Sequence, residues 1–111
     1  APAMTSLPLR ALPLLLLLAA SPASAAPEVT IEISNFTFSP AEISVPAGAT
    51  VTWVNDDDIP HRIAATDGGF RSGALDTGDR WSFTFAEPGQ YAYFCSLHPH
   101  MTGKLTVTAV Q

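Results

Sequence analysis

Alternation of apolar and polar side chains marks most of the chain after residue 28 as β-structure. In Val29–Ile33 and Arg80–Phe85 every second residue is apolar, which is typical of a strand with one face on a core and the other in water. Trp81, Phe83 and Phe85 therefore share one face. With β-branched and aromatic composition as the second criterion, six or seven strands are predicted from these segments: Val29–Ile33, Glu42–Val45, Thr50–Val54, His61–Ala65, Arg80–Phe85, Gly89–Phe94 and Lys104–Thr108.

Turn-forming residues separate these segments, and no helical period interrupts them. Asn35–Pro40, Pro46–Gly48 and Glu87–Gly89 are short turn signals rich in Pro, Gly and Asn. Short strands joined in this way favour an all-β fold, an antiparallel β-sandwich formed by one domain.

Two longer polar segments are predicted to be loops. Asp56, Asp57 and Asp58 are adjacent carboxylates that cannot be buried unpaired, so we expect them on an exposed, solvated loop. Residues 66–78 are rich in Gly, Asp, Ser and Thr, and we expect Phe70 and Leu75 to tether this loop to the core.

The first 25 residues have the pattern of a secretory signal peptide. Arg10 precedes the apolar run Ala11–Ala20, and Ala23-Ser24-Ala25 fits the rule for a cleavage site. The run is shorter than the roughly 20 residues that a bilayer requires, although an uncleaved N-terminal anchor stays open as the rival interpretation. We therefore expect residues 1–25 to be removed and residues 26–111 to form the mature domain in the periplasm.

The charge balance limits the classes of partner. The chain has ten acidic and five basic residues, and loss of Arg10 with the signal peptide would leave a net charge of about −6. Nucleic acid is an unsuitable partner, because binding phosphates needs a basic surface. A basic protein surface is the better match. We expect a monomer with no stable membrane association.

A candidate metal site lies near the only cysteine. In an exported protein a lone cysteine forms an intermolecular bridge, is a reactive thiol or binds metal. Cys95, His98 and Met101 offer soft sulfur and imidazole donors at short spacing. A blue-copper centre takes two His, one Cys and a weak axial Met. His61 is the only histidine outside this loop, and Pro60 before it restricts the backbone there.

Three segments carry a resemblance to a known family. They are Cys95-x-x-His98-x-x-Met101 followed by Gly103-Lys104, the segment Val51–Asn55 with Pro60-His61 beyond it, and Pro88-Gly89-x-Tyr91-x-Tyr93-x-Cys95. With these motifs the chain resembles the cupredoxins, the small blue-copper proteins, and within them the amicyanins. The resemblance extends over nearly all of residues 29–110.

The resemblance implies a Greek-key β-sandwich that holds one copper ion in a type 1 site. His61, Cys95 and His98 would be the strong ligands and Met101 the long axial one. Asn55 would tie the His61 loop to the Cys95 loop by hydrogen bonds. The expected function is single-electron transfer between Cu(II) and Cu(I), without enzymatic activity. The expected partners are basic redox proteins, such as a c-type cytochrome or a periplasmic oxidoreductase.

Several alternatives remain open at this level. Leu97 stands where the family usually has Pro, and His100 where it usually has an aromatic residue; His100 could compete with His98 as a ligand. Met101 could simply fill the core, and a Cys/His₂ set also occurs in zinc sites. Copper storage or delivery is the second candidate function, and a metal-free interaction module is the third.

Overall fold

All regular elements of the computed structural model, which describes residues 26–110, are β-strands. The predicted signal peptide, residues 1–25, lies outside the described residues. Within residues 26–110 no helix has the length and apolar character needed to cross a membrane. The strands are β1 (Glu28–Ser34), β2 (Thr37–Ser39), β3 (Glu42–Pro46), β4 (Ala49–Asn55), β5 (Ile63–Ala65), β6 (Arg80–Phe85), β7 (Gly89–Cys95) and β8 (His98–Thr108).

The strands form two four-stranded sheets, which confirms the predicted β-sandwich. One sheet has the order β2-β1-β4-β6 and the other β3-β8-β7-β5. Four strand pairs are antiparallel, but β1–β4 and β3–β8 are parallel, so both sheets are mixed rather than wholly antiparallel. The chain crosses from β2 in one sheet to β3 in the other before β4 returns beside β1. Alternation along a strand carries no information on the direction of its neighbour.

Three features differ from the sequence-based prediction. Thr37–Ser39, expected within a turn, pairs with the end of β1 as a short edge strand. The last strand was expected to begin at Lys104, but β8 begins at His98. His61, expected to start a strand, lies before β5 and forms an isolated bridge with Leu75. The bridge of His61 depends on a partner distant in sequence, whereas Thr37–Ser39 and His98 pair with nearby residues across tight turns, in segments that show no alternating pattern.

The core lies between the sheets and is centred on Trp53. This side chain is fully buried, and its ring centroid lies 5.3 Å from that of Tyr93 and 5.5 Å from that of Trp81. Phe70 and Leu75 are both buried, which confirms that they tether the loop of residues 66–78. At one end of this core β4 ends, β7 ends and β8 begins. The candidate site lies at that end.

Candidate metal centre

Three of the four predicted ligands converge at this end of the sandwich. One donor atom from each of His61, Cys95 and His98 lies within 4.8 Å of the other two. The Cys95 Sγ is 3.6 Å from Nδ1 of His61 and 3.7 Å from Nδ1 of His98. Cys95 and His61 are fully buried, whereas His98 is partly exposed. The group is therefore a buried thiol and imidazole with a second imidazole leading to the surface.

The turn between β7 and β8 brings Cys95 and His98 together. Ser96 and Leu97 form a two-residue turn, and Cys95 and His98 are directly paired across the two strands. Side chains that are directly opposite in an antiparallel pair point to the same face of the sheet. The two intervening residues in the Cys-x-x-His motif are thus the residues that reverse the chain.

His61 is held by its backbone and by its ring. Its N–H donates to the Leu75 carbonyl at 3.1 Å, and its carbonyl accepts from the Leu75 N–H at 2.7 Å. On the ring, Nε2 lies 2.8 Å from Oδ2 of Asp57. Because a carboxylate accepts hydrogen bonds, Nε2 carries the proton and Nδ1 presents its lone pair towards the Cys95 sulfur. The sequence did not identify this partner of the ring.

Asp57 is the middle residue of the acidic run, but its side chain is not solvated. Besides His61, its carboxylate accepts hydrogen bonds from the N–H groups of Asn35 at 2.6 Å and Phe36 at 2.9 Å. The Phe36 N–H is the largest of the effects that lower the pKa of Asp57. The solvated-loop prediction is confirmed for Asp56 and Asp58, which are exposed, and is wrong for Asp57.

Asn55 braces the site differently from what the resemblance implied. Its buried amide donates to the carbonyl oxygens of Ile59 at 2.9 Å and Leu75 at 2.8 Å, and its Oδ1 accepts from the Asp57 N–H at 2.9 Å. These bonds fix the loop before His61 and the segment around Leu75, which both hold His61. The expected bonds from Asn55 to the Cys95 loop are replaced by these. The bond to the sulfur comes from the Arg62 N–H, at 3.3 Å.

Met101 and His100 lie on β8 with opposite exposure. Met101 is buried in the same core cluster as Cys95 and lines a surface pocket together with His98. His100 lines that pocket too but is exposed, and it does not belong to the group of converging donors. This placement favours His98 over His100 as the loop histidine.

The donor geometry fits a metal ion. With metal–sulfur and metal–nitrogen bonds of about 2.3 and 2.0 Å, angles between tetrahedral and trigonal separate sulfur from nitrogen by about 3.5–3.7 Å. Both sulfur–nitrogen distances in the site fall near this range. A thiolate with two imidazoles and a nearby thioether is also the donor set that suits copper. Zinc shares the first three donors, but thioether is a poor ligand for it.

Comparison with known proteins agrees with this geometry. The family model of the cupredoxin-like domain matches residues 9–107. The chain belongs to the cupredoxin-like family. Over 84 residues it is 36% identical to amicyanin from Paracoccus versutus, covering 71% of this chain and 64% of the relative. The chain thus spans less than two thirds of that relative's length.

Two solved structures extend the comparison. A purple cupredoxin from Nitrosopumilus maritimus superposes with a TM-score of 0.68 at 39% identity, covering 72% of this chain and 99% of that chain. A copper-containing nitrite reductase from Thermus scotoductus gives a TM-score of 0.73 at 29% identity, covering 86% of this chain but only 25% of the enzyme. The resemblance to the enzyme is thus confined to one quarter of it.

Family and donor set together identify copper as the metal of this cupredoxin, in a type 1 site. Sequence reasoning named the three residues that converge but missed three groups around them: the Asp57 carboxylate, the Phe36 ring and the Arg62 N–H. One signal was available for Asp57, which precedes His61 by four residues across a turn that contains Pro60. The other two depend on how distant segments meet, and no local pattern indicates them.

Proposed function

We propose that His61, Cys95, His98 and Met101 hold one copper ion and that the protein carries single electrons between redox proteins. The observation that carries this proposal is the convergence of a buried thiol and two imidazoles at one end of a β-sandwich. Bound copper supplies one-electron chemistry between Cu(II) and Cu(I). The protein supplies the frame: Cys95 ends β7, His98 begins β8, and a backbone bridge to Leu75 holds His61.

The spectrum of the copper-loaded protein tests the assignment. Loaded with Cu(II), the protein should show an intense thiolate-to-copper absorption near about 600 nm and a reversible reduction. Cys95→Ser should abolish this band, whereas His100→Ala should leave it intact. If the protein refolded with Cu(II) bound no stoichiometric copper, that result would instead support a metal-free interaction module.

We infer that the protein is a carrier and not an enzyme. The described chain has one group of converging donors, and His100 is the only histidine left over. A catalytic copper centre of its own would need further histidine ligands. Nitrite added to the reduced protein should therefore leave it reduced, and oxidation by nitrite would contradict the inference.

Copper delivery is the second candidate function. A delivery protein needs an ion that exchanges readily, whereas Cys95 and His61 are fully buried here. Incubation of the loaded protein with a strong copper chelator separates the two functions. An electron carrier should retain its colour for hours, while loss within seconds would favour delivery.

The exit for electrons is proposed at the partly exposed His98. Leu97 is 46% exposed, and Pro99 is exposed on the other side of His98. The exposed carboxylates of Asp56 and Asp58 lie on the loop that leads to His61. Together with them, an apolar surface of this kind suits brief docking of a basic redox partner. We propose a c-type cytochrome or a periplasmic oxidoreductase as the class of partner.

Charge neutralisation tests the docking surface. The double variant Asp56→Asn/Asp58→Asn leaves the Asp57–His61 contact in place, and it should slow electron exchange with a basic cytochrome, most strongly at low salt. Glu28→Gln/Glu87→Gln removes the same charge near the starts of β1 and β7, at the far end of the sandwich. Equal salt dependence in the two double variants would argue against the proposed surface.

Export is part of the same proposal. We propose cleavage after Ala25 and a periplasmic mature domain of residues 26–111, which rests on the sequence of the first 25 residues. Mass spectrometry of the protein from a periplasmic fraction should give a chain that begins at Ala26. Recovery of the full-length chain with the membranes would support an uncleaved anchor.

A further inference from the structure

An exposed aromatic residue covers both histidines of the copper site. Phe36 lies in the turn between β1 and β2, and 49% of its surface is exposed. Its ring centroid is 5.5 Å from that of His61 and 5.1 Å from that of His98, with interplanar angles of 89° and 85°. Both contacts are edge-to-face, the arrangement that aromatic rings favour. One side chain therefore contacts two imidazoles that come from segments far apart in the chain.

The backbone at this residue is in an unusual conformation. Phe36 has a φ of 58°, and Asn35 before it has a φ of 55°. Asn adopts this left-handed region readily, but a bulky aromatic residue is a genuine outlier there. Strain of this kind persists where surrounding contacts over-determine it, and it is frequent at functional sites. A turn alone would accept Gly or Asn at residue 36.

The contacts that hold this turn come from the copper site itself. The carboxylate of Asp57 accepts from the N–H groups of Asn35 and Phe36, and its Oδ2 is also the partner of Nε2 of His61. The same carboxylate thus fixes the ring of a ligand and the backbone that carries Phe36. His98 has no comparable support, since its described ring contacts are Phe36, His61 and the Cys95 sulfur.

We propose that Phe36 is a positioning residue of the copper site, held by Asp57 and packed edge-on against both imidazoles so that His98 keeps its binding orientation. The proposal rests on the proposed copper-binding function. Phe36 does not itself bind the metal. The Phe36 ring restricts the imidazole of His98. Without that ring, His98 would only follow a two-residue turn, and the solvent-facing side of its imidazole would be unrestrained.

Phe36→Gly separates this role from a role in the turn. Gly fits the positive φ, so relief of backbone strain should offset the lost ring contacts, and the metal-free variant should unfold at a temperature close to that of the wild type. Loss of the two edge-to-face contacts should weaken copper affinity roughly 3- to 10-fold in competition with a chromophoric chelator, and it should change the copper hyperfine coupling in EPR. Phe36→Tyr keeps the aromatic ring, so its copper affinity should stay within about twofold of the wild type and its hyperfine coupling should be that of the wild type.

Val110→Ala is the control for affinity. Val110 is 69% exposed and follows the end of β8, whereas the site lies at the start of that strand. Its truncation should leave copper affinity within about twofold of the wild type, as expected of an exposed apolar side chain. If Phe36→Gly matched the wild type in affinity and EPR spectrum, or if Val110→Ala weakened binding equally, the proposal would be overturned.

Nuclear magnetic resonance of the metal-free protein decides the question independently of copper binding. The Phe36 ring current should shift the imidazole C–H resonances of His61 and His98, and these shifts should disappear in Phe36→Gly. Asp57→Asn should reduce both shifts, because the amide nitrogen cannot accept the bonds that hold the turn and His61. Unchanged resonances in Phe36→Gly would sink the positioning role, whereas a wild type that binds no copper would refute only the metal function.

Discussion

At the scale of single residues, Asp57 shows how one side chain serves two segments. Its carboxylate accepts from two backbone N–H groups at the β1–β2 turn and from the His61 ring. All three donors favour the ionised form, so they lower the pKa of Asp57, with the Phe36 N–H contributing most. An acidic residue that looked like part of a solvated run thereby becomes a structural element of the site.

This pKa shift predicts a dependence of stability on acid. A carboxyl group whose folded pKa lies below its unfolded value of about 4 stabilises the protein above that pH, and this contribution is lost as pH falls through the folded pKa. Asp57→Asn should therefore unfold at lower urea concentration at pH 6 and should lose less stability than the wild type between pH 5 and 3. Asp58→Asn, at an exposed neighbour, should retain the acid sensitivity of the wild type. A wild-type slope in Asp57→Asn would contradict this account.

A second residue-scale prediction concerns the phenol of Tyr93. The side chain is 1% exposed, and its hydroxyl has no hydrogen-bond partner among the described residues. Burial raises the pKa of Tyr93 to about 12. The unfolded chain binds this proton less tightly, so stability should fall as pH rises from about 10 to about 12.

Tyr93→Phe tests both aspects of this environment. The variant removes an unpaired polar group and its titration, so its thermal midpoint at pH 7 should equal or exceed that of the wild type. The loss of stability between pH 10 and 12 should become smaller. Tyr91→Phe, at a partly exposed tyrosine of the same strand, is the control. A large destabilisation of Tyr93→Phe at pH 7 would show that the hydroxyl is satisfied after all.

At the scale of elements, the β7–β8 hairpin positions the site and closes the core. Its register pairs Cys95 with His98 and Tyr93 with Gly103. A Cβ atom at residue 103 would collide with the Tyr93 ring. That ring cannot retreat, because it is packed edge-on against Phe38 at 4.8 Å and Trp53 at 5.3 Å. Gly103 thus allows a large aromatic ring to lie across β8.

Gly103→Ala should accordingly destabilise the sandwich. Overpacking in a tight core costs about 1–3 kcal/mol, so the free energy of unfolding from urea titration should fall by about that amount. Gly73→Ala is the matched control, since a Cβ there would meet nothing within 4 Å. It should leave stability unchanged or slightly higher. Equal effects of the two substitutions would contradict the packing argument.

At the scale of the whole molecule, the copper site joins segments that only the folded chain brings together. His61 lies 34 residues before Cys95 and is positioned by Leu75, whereas Cys95 and His98 belong to a local hairpin. An ion that binds this assembled site binds the native state far better than the unfolded chain. Metal binding should therefore act as a global stabiliser.

Copper should raise the thermal midpoint in a manner that depends on its concentration. Free copper held at 100 times the dissociation constant should add about 2.7 kcal/mol to the free energy of unfolding. Scanning calorimetry with buffered copper measures the shift, and a chelator should reverse it. Cys95→Ser should remove most of the effect, while His100→Ala should preserve it. A midpoint independent of copper would contradict binding to the assembled site.

The outcome for the strands shows how far local patterns reach. Alternation identified β1 and β6, and composition identified β4. Alternation is visible in the sequence because successive side chains of a strand point to opposite faces of the sheet, of which one is buried. The edge strand β2 is only three residues long, too short to display a period. The first residues of β8 carry the donors and Pro99 instead of alternating side chains. The parallel pairings were hidden because pairing direction depends on the path of the whole chain.

The sequence by itself determined the sandwich, the strand-rich core and the donor group, because these depend on periodicity, spacing and residue chemistry. The spacing of Cys95 and His98, with two residues between them, is read directly from the sequence. Only the tertiary structure decided what surrounds the donors. Asp57 turns inward because the β1–β2 turn presents two N–H groups to it, and Phe36 covers His61 and His98 because that turn lies above them. Such contacts join residues some twenty or more positions apart, and their partners exist only once the sheets have packed.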